Sequence, residues 1–219
     1  EIVGITKYEN PAIARLSGDA KGFFPSFLIK TDELSLRTNN GALVEFLGLE
    51  CYINLKMDGA SSTFFVKDGV FGVCSRNLEL KEDDSNTYWK IARKYNLEQK
   101  LRELGKNISI QGECCGPGIQ DNKMGLSELS FFIFNVFDID SRSYLNYDEF
   151  LIFCRKLEIP VVKEIWRGIF NFSLEELIKK ELIFTKRWKF TSKNPDNIRK
   201  RYPNTIDLFM VYNIGGNGG

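Results

Sequence analysis

Cys51-Tyr52-Ile53-Asn54-Leu55-Lys56-Met57-Asp58-Gly59-Ala60-Ser61-Ser62-Thr63-Phe64-Phe65 is the stretch on which the reading of this chain turns. An apolar, β-prone run enters a polar turn carrying a lysine, a carboxylate and a glycine, and a second β-prone run leaves it: strand, loop, strand. Between two strands the lysine is expected at the floor of a pocket, where burial and neighbouring cations lower the pKa of an amine and expose a nucleophile. The plainer reading is a hairpin turn on the surface. On average residue usage a bare K-x-D-G arises by chance in roughly one of twenty chains this long, so its surroundings must decide.

Val44 to Phe46, Ser62 to Lys67 and Val70 to Ser75 are further short β-prone runs, and Lys67-Asp68-Gly69 is the clearest hairpin turn, so a meander of strands is expected around Lys56. From Thr87 to Leu104 the period changes. Tyr88, Ile91, Ala92, Tyr95, Leu97 and Leu101 recur at helical spacing between lysines and arginines, predicting one amphipathic helix. Asn107 to Gln111 reads as a strand feeding Gly112-Glu113, Gly116-Pro117-Gly118 as a loop, and Phe131 to Ile139 as a buried strand with Asp138 near its exit. Tyr147 to Leu157 and Ser173 to Lys180 read as helices, the second with Ser173 and Glu176 in a capping box. Glu181 to Phe190 fits one strand; Lys193 to Pro203 has no clear period and reads as solvated surface. The order of elements predicts an α+β fold.

Composition removes several chemistries. The 219 residues include no histidine, which excludes hydrolase schemes with an imidazole base, and five cysteines without a C-x-x-C pair, which offer no zinc-type site. Odd, unpaired cysteines point to a reducing, intracellular and cytoplasmic setting. The formal net charge is +1, so nucleic-acid affinity must come from local clusters such as Lys90 to Arg102, Lys179 to Lys193 and Arg199 to Arg201. No run approaches the ~18 apolar residues of a membrane span. The chain starts at Glu1 without a signal peptide and reads as part of something longer, and Gly215-Gly216-Asn217-Gly218-Gly219 reads as a disordered end.

Glu113 at a strand end is ordinarily a solvated carboxylate; together with Lys56, Arg76 and Asp138 it suggests an anion site. A triphosphate needs cations for its phosphates, carboxylates for Mg²⁺ and an aromatic face for its base. With these residues in view, the chain resembles the nucleotidyltransferase domain of the covalent ligase and capping superfamily. Lys56-Met57-Asp58-Gly59 matches its nucleophile motif, Ser75-Arg76-Asn77 its S-R-N/G motif, Gln111-Gly112-Glu113 its x-G-E motif, and Phe134-Asn135-Val136-Phe137-Asp138-Ile139 its F-D-I strand. Phe23-Phe24-Pro25-Ser26-Phe27 with Lys30-Thr31-Asp32-Glu33, and Cys115-Gly116-Pro117-Gly118-Ile119-Gln120 with Asn122-Lys123, resemble the ATP-dependent RNA ligase family, over roughly Ile5 to Lys179.

The resemblance implies an ATP-grasp-like ligase adenylation domain, with antiparallel sheets flanked by helices around a nucleotide pocket. Residues 1–42 would lead into the domain, 43–190 form its core and 191–219 a divergent or disordered tail, an N-terminal OB domain lying outside this chain. Lys56 would take AMP from ATP with Mg²⁺ or Mn²⁺, pass it to an RNA 5′-phosphate, and a 3′-hydroxyl would seal the strand. Asp58 and Glu113 would serve the metal or ribose, Gly59 would belong to the ATP-binding loop, and Arg76 would contact the sugar or the RNA end. Phe137 would stack on adenine, Asn54 and Leu55 would read its edge through their backbone, and Lys189 would grip phosphate. The resemblance also implies a monomer acting away from membranes. Cys114 and Cys115 are expected to pack behind Glu113.

Two strands of the family pattern are altered. Glu181-Leu182-Ile183-Phe184 lacks the glycine of the family's E-G-h-V strand, and Arg187-Trp188-Lys189 is a shifted version of its lysine strand. Alternatives therefore stand beside an RNA ligase: a DNA ligase or capping-type nucleotidyltransferase, or a catalytically incomplete nucleotide- or RNA-binding module.

Overall fold

The computed structural model describes residues 18–31, 42–173 and 176–177, and the backbone of 209–213. Its elements are β1 (Ala20–Phe23), α1 (Ala42–Glu45), β2 (Glu50–Leu55), β3 (Ala60–Lys67), β4 (Val70–Ser75), β5 (Leu78–Leu80), α2 (Thr87–Lys94), α3 (Leu97–Arg102), β6 (Ile108–Cys115), β7 (Ser130–Asp138), β8 (Ser143–Tyr144), α4 (Tyr147–Leu157), β9 (Glu164–Ile169) and β10 (Phe209–Asn213). A seven-stranded sheet runs β1-β5-β4-β3-β6-β7-β8, and a three-stranded sheet runs β10-β2-β9. Among the described residues these strands pair antiparallel, with one isolated parallel bridge between Ile133 and Val161. The fold is thus the α+β arrangement expected, with one change of plan. β2 does not join a meander with β3 and β4; it is the centre of the smaller sheet, so the Lys56 turn is the crossing between two sheets.

The central strands of the larger sheet are covered on both faces, which is why Thr63-Phe64-Phe65-Val66 is an unbroken buried run rather than an alternating one. Phe64 and Val66 point into the main core with Val73, Ile110, Phe131 and the inner faces of α2, α3 and α4, whereas Phe65 points to the other face with Leu28, Cys74, Phe137 and Ile139. The β3–β4 hairpin closes through Asp68 and Gly69, at φ 50° and 74°, the doubly left-handed turn that matches strand twist. The smaller sheet is tied to the main core by Tyr52 of β2, stacked on Tyr147 of α4 with ring centroids 3.5 Å apart.

Several local expectations are corrected. The helix read over Thr87 to Leu104 is two helices, because Asn96 adopts the left-handed conformation (φ 52°, ψ 42°) that asparagine tolerates. Val44 lies in the short helix α1 and not in a strand. Phe209–Asn213, within the segment read as a divergent tail, is a strand paired along β2. The Ser173 capping box is present: the Ser173 amide donates to Glu176 Oε2 at 2.8 Å and the Glu176 amide to Ser173 Oγ at 3.2 Å. The expected Glu181 to Phe190 strand lies outside the described residues.

Phe64 is fully buried and meets Phe131 edge-on at 4.9 Å. Phe64→Ala is expected to cost about 3–5 kcal/mol in urea unfolding; a loss below about 1 kcal/mol would mean the two-sided core is not what holds the sheet.

Candidate active site

Strand register gathers the candidate residues at one end of the larger sheet. β3 starts at Ala60 opposite Cys114, which places Ser61 opposite Glu113. Ser62 lies opposite Ser75, so Arg76, one residue beyond β4, comes beside the start of β3. Lys56-Met57-Asp58-Gly59 enters this corner from β2. Leu55 and Met57 pack into an apolar cluster with Cys115, Phe134 and Val162, which anchors the turn and leaves Lys56 exposed and Asp58 half-exposed. Lys56 therefore stands at an open surface and not on the buried floor expected.

Gly59 is where the turn presses on β6. A Cβ there would lie 2.2 Å from the Cys114 carbonyl oxygen and 2.6 Å from Cys115 Sγ, so only glycine permits the approach. The approach is used: the Gly59 N–H donates to Glu113 Oε1 at 3.1 Å. Burial pushes the Glu113 carboxyl up to about 7; the Gly59 hydrogen bond and the charges of Lys56 and Arg76 oppose that rise, and the charge of Asp58 adds to it. Asp58 pairs with Lys123, whose Nζ lies 3.3 Å from Oδ2 and 3.4 Å from Oδ1. This pairing has no local signature in the sequence, because Lys123, in the loop motif, lies 65 residues from Asp58. Cys114 and Cys115 are buried as expected, and burial raises both thiols, Cys115 to about 12. They stay protonated and serve packing.

Among the described residues no group of three or more acidic or cysteine side chains gathers as a metal cage. Asp58 and Glu113 could offer two hard oxygen donors, the kind of set suited to a Mg²⁺-type ion that keeps waters and binds substrate phosphate as well. The residues thus fit such an ion.

A family model described as RNA ligase matches residues 49–201. The chain belongs to the RNA ligase family. Among solved structures it is similar to the Naegleria gruberi RNA ligase with PPi, at 34% identity and TM-score 0.70, over 81% of this chain and 54% of that one. The same figures hold for a variant of that RNA ligase with ATP and Mn. An apo variant of Naegleria gruberi RNA ligase R4a matches at 32% identity and TM-score 0.70 over 74% of this chain and 50% of that one. The chain therefore spans about half the length of these RNA ligases. No curated protein matches it.

Other residues that the RNA ligase pattern singled out are placed elsewhere. Phe137 is fully buried among Phe65, Leu28 and Ile139, with Tyr144 at 5.2 Å, so it shows no open face to a base. Asp138 pairs with Ile108, five residues along β6 from Glu113, roughly 17 Å away at strand spacing, and accepts from the Ser141 amide in the following turn. Neither joins the corner, because the F-D-I strand offers its other end to Glu113. Asn54 is fully buried, its Oδ1 accepting from Tyr147 at 3.4 Å, and the Leu55 amide donates to the Lys163 carbonyl at 2.8 Å. That amide is committed to the smaller sheet and not open to read a base. Lys189 lies outside the described residues.

Glu113 carries a pH test. Between about pH 4.5 and 7 the folded chain keeps a proton that the unfolded chain has released, so stability falls as pH rises through that window and levels off above it. In metal-free buffer this contribution is expected to be on the order of 2–3 kcal/mol in unfolding free energy, and Glu113→Gln should remove it. Equal slopes in both proteins would show that Glu113 is not held as described.

Proposed function

We propose that this chain is the adenylation part of an ATP-dependent RNA ligase. The observation that carries the reading is the convergence of Lys56, Asp58, Arg76 and Glu113 at one sheet end, with the lysine turn tied to Glu113 by the Gly59 N–H. Lys56 Nζ attacks the α-phosphorus of ATP; an N–P bond forms, the bond to the β-phosphate oxygen breaks and pyrophosphate leaves. AMP then passes to the 5′-phosphate of an RNA end, and a 3′-hydroxyl displaces it, which divides one hard step into easier ones. The related RNA ligase structures with PPi and with ATP and Mn support this substrate and a divalent metal.

Open exposure of Lys56 suits a nucleophile that must reach first a nucleotide and then a nucleic-acid end. Buried Met57 and the Gly59 contact hold its backbone, so only the side chain needs to move. Arg76, flanking the same corner, offers a fixed cation to phosphate or sugar. Asp58 and Glu113 would hold Mg²⁺ or Mn²⁺, which when bound supplies positive charge for the phosphates. The RNA with 5′-phosphate and 3′-hydroxyl ends, an OB domain beyond this chain, a monomeric state and an intracellular site of action belong to the same proposal. The five cysteines are all free and buried, which accords with a reducing compartment. Among the described residues no helix is long and apolar enough to cross a membrane.

Incubation with ATP and Mg²⁺ should yield a covalent AMP adduct located to Lys56 by peptide mass spectrometry, absent in Lys56→Ala and slowed by ~10²–10³ in Glu113→Ala. GTP should give none. No adduct on the wild-type chain, or an adduct on another lysine, would overturn the reading.

A further inference from the structure

Asp58 meets a cation of the chain's own. Lys123 Nζ lies nearly equidistant from both carboxylate oxygens, at 3.3 and 3.4 Å, on the side where an ion shared by the two oxygens would sit. Both side chains are about half exposed, at 47% and 42%, so the pair is open to exchange with ions from solution.

The loop that delivers Lys123 is built with unusual backbone. Gln120, Asp121 and Asn122 are three consecutive left-handed residues, at φ 43°, 57° and 49°, none of them glycine. Such a run is costly for residues bearing a Cβ and persists only where its surroundings hold it. Here Asn122 clasps Leu126 twice, its Oδ1 accepting from the Leu126 amide at 3.0 Å and its Nδ2 donating to the Leu126 carbonyl at 2.8 Å. Ile119 plugs one end into the main core, while Met124 and Leu126 pack on the Met57 and Cys115 cluster beneath the lysine turn. The loop and the turn thus share one apolar footing, and Lys123 leaves it beside Asp58.

We propose that Lys123 is the resident counter-ion of Asp58, a positioning residue that holds this carboxylate while no divalent cation is bound and that such a cation must displace. The proposal rests on the reading of Asp58 and Glu113 as the metal-holding pair. Without Lys123, Asp58, whose charge is felt at Glu113, would lose its paired cation, and an arriving divalent ion would meet no competitor there. An exposed ion pair is a weak one. Displacement is therefore easy, and the expected effect on affinity is small and of definite sign.

The test is Mn²⁺ binding to the whole chain without nucleotide, followed by the electron paramagnetic resonance signal of free Mn²⁺ at low ionic strength. Lys123→Met should tighten Mn²⁺ binding about two- to five-fold, Lys123→Arg should restore the wild-type affinity, and high salt should shrink the difference. A merely structural role for Lys123 would loosen binding instead, so an unchanged or weakened affinity in Lys123→Met overturns the proposal. Asp58→Asn and Glu113→Gln separate the two layers. If both weaken Mn²⁺ binding while Lys123→Met has no effect, the counter-ion role alone fails; if neither weakens it, the metal-holding pair itself fails.

Discussion

The hydrogen bond from the Gly59 N–H to Glu113 Oε1 is the joint on which this site depends. It connects residues 54 apart in sequence, and it satisfies a buried backbone N–H at the point where the turn meets β6. Through it the turn between the two sheets is fixed to the end of β6, and with the turn come Lys56 and Asp58, on either side of buried Met57 in sequence. Glycine is required because the Cys114 carbonyl stands where a side chain would begin. Without the bond, Lys56 and Asp58 would lose their direct tie to Glu113, and only the apolar footing of the turn would hold them near it.

The frame is rigid below and open above. Met57, Cys115, Phe134 and Val162 form a dry footing under the turn, while Lys56, Asp58 and Arg76 look outward. Burial falls mainly on Glu113, whose rise to about 7 marks it as the group whose charge is hardest to hold without positive company. Lys56 and Arg76 supply part of that company, and a bound divalent ion would supply more. A corner of this kind favours whatever brings or stabilises cations near phosphate, which is what nucleotidyl transfer demands.

How much of this was legible in the sequence depended on range. The Lys56 turn, the Arg76 motif and the Glu113 strand were readable because each is short and punctuated by glycine, serine or a change of period. Their convergence was readable only through family resemblance, since strand register is set by partners far along the chain. The same limit explains the misreadings. Nothing local says that β2 belongs to a second sheet, that Phe137 faces a covered side, or that Phe209–Asn213 returns to pair with β2. Asn96 escaped notice for a different reason: one left-handed residue splits the helix while Trp89, Ile91, Leu97 and Leu101 still reach the same core, so the apolar pattern runs on across the break.

The most direct test of the account is a crystal structure of Lys56→Met with ATP and Mn²⁺, with manganese located by its anomalous scattering. The account predicts a manganese peak at the corner between Asp58 and Glu113, the α-phosphate facing position 56, and Lys123 released from Asp58. Manganese bound away from both carboxylates, or a nucleotide seated elsewhere on the chain, would contradict it.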